Sequence, residues 1–282
     1  MRNTKRRITP IGACLLLAAC AGDPPRGPTV EVDPDAPVPT SPADATCVWN
    51  QAYQENSAPD SVADIVAQAH GCYVLLDPFD EPAARDAIPA LVAEDNTVGC
   101  YISVGTCEEW REDFEAMRSA CTSEVWPEWA GEYFVEDVDA ALPFMLARVD
   151  QLADWGCDMV EFDNMDWAEG AEDYGLTVTV GEGQTYYNAL CDRVHERGMG
   201  CMAKSTAAAA ENFDGGTFES YPDELDWWAH EHLASFLDAG KLGVIFHYDE
   251  PDCADVSLWY RQRYGSGLSL LCEDPSVGGY GH

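Results

Sequence analysis

Gly156-Cys157-Asp158-Met159-Val160-Glu161-Phe162-Asp163-Asn164-Met165-Asp166 contains a helix stop, a short strand and an acidic strand end in quick succession. Gly156 suits the left-handed residue that closes a helix. Upstream, Asp139 can cap a helix carrying Leu142, Met145, Leu146, Val149 and Leu152 at helical spacing. Downstream, a further helix runs from about Gln184 to Arg197 and stops at Gly198. Helix, strand, acidic end and helix again is the unit of an α/β architecture.

The unit recurs along the chain. Strand candidates lie near 47–51, 73–77, 98–104 and 132–136, then near 157–163, 199–203, 216–219 and 243–247. A helix capped by Asp60 or Ser61 carries Val62, Ile65, Val66 and Ala69 and stops at Gly71, and another stops at Gly240. Eight strands with intervening helices predict a single-domain (β/α)8 TIM barrel over residues 46–282. A flavodoxin-like sheet is the competing fold, though it would usually be smaller.

The rest of the 282 residues carries different signals. Residues 1–20 have the order of a secretory signal: Arg2, Lys5, Arg6 and Arg7, the apolar run Ile11–Ala19, then small residues. Leu17-Ala18-Ala19-Cys20 is similar to a bacterial lipobox, so lipidation at Cys20 and anchoring to the cell envelope are expected, with plain secretion as the alternative. The Pro- and Asp-rich residues 21–45 predict a disordered tether. Setting aside Cys14 and Cys20 leaves ten cysteines, an even number that suggests disulfides in an exported chain. Cys107 with Cys121 and Cys253 with Cys272 are candidate staples. Cys100, Cys157 and Cys201, in apolar runs, read equally as buried thiols.

Formal charge is −36, with 15 basic against 51 acidic residues. Without the four basic residues of the signal segment it is about −40, which excludes nucleic acid as a partner because phosphate binding needs a basic face. Such a field favours cationic ligands, and solubility is its bland alternative. His230-Glu231-His232 lacks the zincin spacing, and neither a Gly-rich phosphate loop nor a calcium-loop pattern stands out, so neither metal nor cofactor is expected. His247 at a strand end is read as structural or as lining the mouth.

Barrel active sites lie at the C-terminal strand ends, and here those ends are acidic. Asp77 and Asp80 follow one strand, Glu161, Asp163 and Asp166 another, and Glu219 a third. Two carboxyl groups, one protonating a leaving oxygen and one attacking carbon or activating water, are what glycosidic cleavage requires. Trp49, Trp110, Trp126, Trp129, Trp167, Trp227 and Trp228 offer flat faces for sugar rings, or simply pack.

Several segments carry a resemblance. Trp49-Asn50-Gln51, the Asp77/Asp80 strand end, and Cys100 to Gly105 followed by Glu109-Trp110-Arg111-Glu112-Asp113 come first. Trp129-Ala130-Gly131-Glu132-Tyr133 and Gly156 to Asp166 follow in order. Together they resemble glycoside hydrolase family 114, the endo-α-1,4-polygalactosaminidase group. The resemblance implies cleavage of α-linked, galactosamine-containing polysaccharide, with Asp163 as nucleophile and Glu219 as acid/base. Phe162 stands where the family has Pro, Lys204-Ser205 where Lys-Asn is common, and Glu219-Ser220-Tyr221 departs from the family context, leaving Glu224 and Glu231 as alternative acids. Asp77, Asp80, Glu161, Asp166, Tyr101, Trp110, Arg111 and Lys204 are the expected substrate-binding residues. Arg111 is expected to clamp an acid and Lys204 to balance charge or touch substrate. A non-catalytic glycan-binding lipoprotein and a hydrolase of another α-glycan are the rival readings.

Overall fold

The computed structural model describes residues 32–53, 60–205, 211–222, 225, 228, 230–248, 250, 252–274 and 279–281. The signal segment with Cys20, the tether up to residue 31, Glu224 and Trp227 lie outside them. In chain order the strands are β1 (Val48–Asn50), β2 (Tyr73–Leu76), β3 (Thr97–Ser103), β4 (Thr106–Glu108), β5 (Glu132–Phe134) and β6 (Met159–Asp163). They continue as β7 (Gly200–Lys204), β8 (Gly215–Ser220), β9 (Leu242–His247), β10 (Ser269–Asp274) and β11 (Gly279–Gly281). The helices are α1 (Val62–Gln68), α2 (Pro82–Ala93), α3 (Phe114–Met117), α4 (Val138–Trp155), α5 (Val180–Glu196), α6 (His230–Asp238) and α7 (Cys253–Tyr264).

Strands β1, β2, β3, β6, β7, β8, β9 and β10 pair in that order, every pair parallel. β10 comes alongside β1, so the ring is nearly closed, and the chain is a single-domain (β/α)8 barrel.

One strand assignment changes. The alternating segment 132–136 contains β5, which pairs antiparallel with β4 in a two-stranded flap outside the ring. The eighth barrel strand is β10, parallel to β9. Period-2 alternation marks a strand without saying which sheet it joins, and the apolar run of β10 lies between glycines near the chain's end.

Caps explain where the helices begin. Ser61 accepts from Asp64 N at the start of α1, and Asp137, two residues before the expected cap, accepts from Ala140 N at the start of α4. α5 starts at Val180 because Thr179 and Glu182 form a capping box. Gly156 closes α4 with φ +92°.

Alternation along the strands separates two cores. Val48, Tyr73, Leu75, Tyr101, Met202, Val244, Phe246 and Leu271 pack inside the ring, while residues such as Val74, Cys100, Ile102, Phe162 and Ile245 pack outward against the helices. All ten expected cysteines pair: Cys47–Cys72, Cys100–Cys157, Cys107–Cys121, Cys191–Cys201 and Cys253–Cys272. Cys100, Cys157 and Cys201 are therefore half-cystines rather than buried thiols. Five disulfides indicate an oxidising compartment outside the cytosol.

The last part of the expected tether belongs to the folded body. Gln262 Nε2 donates to Asp33 O at 2.6 Å, Ser266 N donates to Pro39 O at 2.8 Å, and Ala43 is buried. Among the described residues, no helix is long and apolar enough to cross a membrane.

Candidate active site

The alternation that fills the barrel carries Asp77, Asp163, Lys204 and Glu219 to the same end of the ring, at or just beyond the C-terminal ends of β2, β6, β7 and β8. They line a cleft of about 950 Å³, shared with Asp80, Tyr101, Trp110, Arg111 and Asp166. That volume lies at the upper end of the range for small-molecule sites, roughly 300–1,000 Å³.

Lys204 stands at the centre. Its Nζ lies 3.0 Å from Asp163 Oδ1 and 3.2 Å from Glu219 Oε2. Burial alone would lower the Lys204 ammonium, but the charges of Asp163, Glu219 and Glu161 outweigh it and hold its pKa above the ordinary lysine range. The Tyr53 ring stands 4.2 Å from the same nitrogen. Asp163 also accepts from Tyr101 Oη at 3.0 Å and from Asn164 N at 2.9 Å, so three donors fix its carboxylate. Tyr248 Oη donates to Glu219 Oε1 at 2.7 Å. Burial first, then nearby acids, raises Tyr101 and Tyr248 well above the usual phenol range, leaving both as neutral donors.

Exposure separates the acids a substrate can reach from those it cannot. The side chains of Asp163 and Glu219 are 19% and 25% accessible, against 6% for Asp77. Glu161 is fully buried one layer below, bonded to Tyr53 Oη and, at 2.6 Å, to Thr217 Oγ1. Burial pushes Glu161 up to about 7 despite the nearby Lys204. Arg111 clamps Asp77 with contacts of 2.9 and 2.8 Å and reaches Glu108 at 2.7 and 2.6 Å. With both its oxygens held by Arg111, Asp77 is a framework acid, and Glu161 has no face on the cleft. The alternative acid Glu231 is exposed on the first turn of α6, away from the cleft.

The turn after β6 needs close backbone approach. Asn164 adopts φ +57°, and a Cβ on Gly105 would sit 2.0 Å from Asn164 O. Only glycine lets the root of the flap pass there. Asn164 Nδ2 donates to Ser103 Oγ at 2.9 Å, and Ser103 and Thr106 share a 2.6 Å hydroxyl contact. Thr106 Oγ1 then donates to Glu132 Oε2 at 2.6 Å. Burial raises Glu132 to about 7, and burial with neighbouring Asp163 raises Asp166 to about 6. Glu132 lines the cleft and had no role in the sequence reading, which placed its segment in the ring.

Tyr53, Asn164 and Tyr248 were missed too, because each sits just past a strand end, where no periodicity marks a side chain's direction. Of the tryptophans, Trp110, Trp126 and Trp129 face the cleft, while Trp49 and Trp228 are buried. Trp167, also at the cleft, is nearly buried and donates to Val135 O at 2.9 Å. His247 is buried between Tyr260 Oη at 3.2 Å and Glu250 Oε2 at 3.3 Å, and burial lowers it to about 4. It is structural.

A cleft in which two of the lining carboxyls are joined by one cation is the setting for the comparisons with known proteins. The model of glycoside-hydrolase family GH114 matches residues 35–281. No curated protein matches the chain in sequence. Among solved structures, Ega3 of Aspergillus fumigatus, in complex with galactosamine, superposes with a TM-score of 0.61 at 18% identity, covering 89% of this chain and 98% of that one. The glycoside hydrolase domain of PelA from Pseudomonas aeruginosa gives 0.58 at 15% identity, covering 83% and 96%. At these identities the likeness is one of fold.

Proposed function

The chain belongs to glycoside-hydrolase family GH114, and from that premise we propose that it cleaves α-linked, galactosamine-containing polysaccharide through Asp163 and Glu219. The observation that carries this reading is the single Lys204 nitrogen touching both carboxylates, at 3.0 and 3.2 Å. Those contacts hold the two oxygens that touch Lys204 no more than about 6 Å apart, an upper bound that falls short of the roughly 6.5–9.5 Å leaving room for water and admits the roughly 5–5.5 Å spacing of retaining enzymes.

In the retaining sequence, an Asp163 oxygen attacks the anomeric carbon as Glu219 gives its proton to the departing glycosidic oxygen. Glu219 then takes a proton from water, which attacks the same carbon and frees Asp163. Lys204 and Tyr101 keep the Asp163 carboxylate aimed, and Tyr248 orients Glu219.

The charge of the cleft supports an amino-sugar substrate. Asp80, Glu128, Asp166 and Glu169 line the same cleft as the two central acids. Their field suits the ammonium of an unacetylated galactosamine. An exported form anchored through Cys20 fits the five disulfides, and Cys20→Ala abolishing globomycin-sensitive processing tests it. For the substrate, new reducing ends are counted on galactosamine-rich, fully N-acetylated and neutral α-glycans. Release from the galactosamine-rich polymer is expected, and release from the neutral glycans alone overturns the substrate assignment.

A further inference from the structure

The cleft continues beyond the two central acids along the flap. Tyr174, on the loop after β6, stacks on Phe134 of β5 with ring centres 4.3 Å apart. Trp126 packs on Phe134 at 4.8 Å and on Tyr174 at 6.0 Å, and Trp129 lies 6.2 Å from Trp126. All four rings line the cleft, yet Trp129 and Tyr174 remain 37% and 44% exposed.

The flap holds this surface in shape through its own backbone hydrogen bonds. Trp126 N donates to Glu132 O at 2.7 Å, Glu132 N to Trp129 O at 3.1 Å, and Glu109 N to Gly131 O at 2.9 Å. Gly131, at φ +93°, makes the turn, and the Cys107–Cys121 disulfide staples the base. Two large rings kept half in water on a hydrogen-bonded frame form a preorganised binding face.

Charge identifies the occupant. Tyr174 lies within the field of Asp166, Glu128 and Asp173, which, after burial, raise its hydroxyl. The core of a protein interface is depleted of such acids. A sugar bearing an ammonium uses both features, laying its apolar ring face on an aromatic and its cation among carboxylates.

We propose that Trp126, Trp129 and Tyr174, with Glu128 and Asp166, form a distal subsite for an amino-sugar residue away from the bond being cut. The enzyme would then gain rate with each added residue until that subsite is filled. This rests on the galactosamine reading above. Binding energy gathered away from the reacting carbon can be used in the transition state, so chain length would be read in kcat/KM.

The test compares kcat/KM on a ladder of α-1,4-linked oligogalactosamines, dimer to octamer, for wild type and for Trp129→Ala with Tyr174→Ala. For wild type the octamer-to-trimer ratio is expected to be large, and the double variant should reduce it roughly tenfold, about 1.4 kcal/mol of binding. Trp129→Phe should keep most of it, which separates loss of a ring face from loss of folding. An unchanged ratio in the double variant overturns the distal subsite. No cleavage of any oligomer by wild type overturns the galactosamine reading instead.

Discussion

Lys204 Nζ lies between Asp163 Oδ1 and Glu219 Oε2, at 3.0 and 3.2 Å, so one buried cation couples two carboxyls that line the cleft. With the cation removed, the acids face each other across a poorly solvated site, and like charge raises the cost of ionising both. Lys204→Met is therefore expected to lower kcat/KM about a hundredfold or more and to move the acid limb of the pH–rate profile to higher pH. Retention of both the rate and the profile would show that Lys204 is only a packing residue.

Arg111 joins β2 to the flap through Asp77 and Glu108, all three nearly buried. Lysine cannot reproduce a planar fork that serves two carboxylates. Arg111→Lys should cost about 3 kcal/mol in urea unfolding, the scale for breaking a buried pair. A change under about 0.5 kcal/mol would mean that solvent already screens the clamp.

Glu161 and Glu132 are both raised to about 7, and Asp166 to about 6, by burial. For carboxyls raised in the fold, the folded state binds more protons than the unfolded one. Their contribution is complete below about pH 4 and is lost as pH rises through about 6 to 7. The unfolding free energy should fall between about pH 5 and 8, and Glu161→Gln should remove on the order of 3 kcal/mol of that fall. A slope identical in the variant would remove Glu161 as its source.

The barrel was legible because its signals are local. Gly156 stops α4, and the β6 segment ends in Asp163 at the mouth, as period 2 requires. The flap was not legible, since residues 132–136 alternate as any strand does and only the Cys107–Cys121 staple and the antiparallel register with β4 place them outside the ring. Lys204 showed as a basic residue at a strand end, but its two partners lie on neighbouring strands, a relationship that spacing does not encode. Glu132 reaches the cleft, and Tyr248 reaches Glu219, for the same long-range reason.

The staple gives its own prediction. The Cys107–Cys121 bridge spans 14 positions, and closing a loop of that size is worth about 3 kcal/mol. Cys107→Ser with Cys121→Ser should lower thermal stability by about that amount and raise KM for polymer more than it lowers kcat, because the flap carries Trp126 and Trp129. Unchanged KM would show that the flap holds its shape through backbone hydrogen bonds alone.

The most direct measurement is the rate of reducing-end release from partly deacetylated α-1,4-galactosamine polymer by wild type, Asp163→Asn and Glu219→Gln, with circular dichroism to show that each is folded. Cleavage by wild type and a loss of at least about a thousandfold in each variant are expected, since each removes one of two carboxyls that act in sequence. Either folded variant cleaving at the wild-type rate would contradict that.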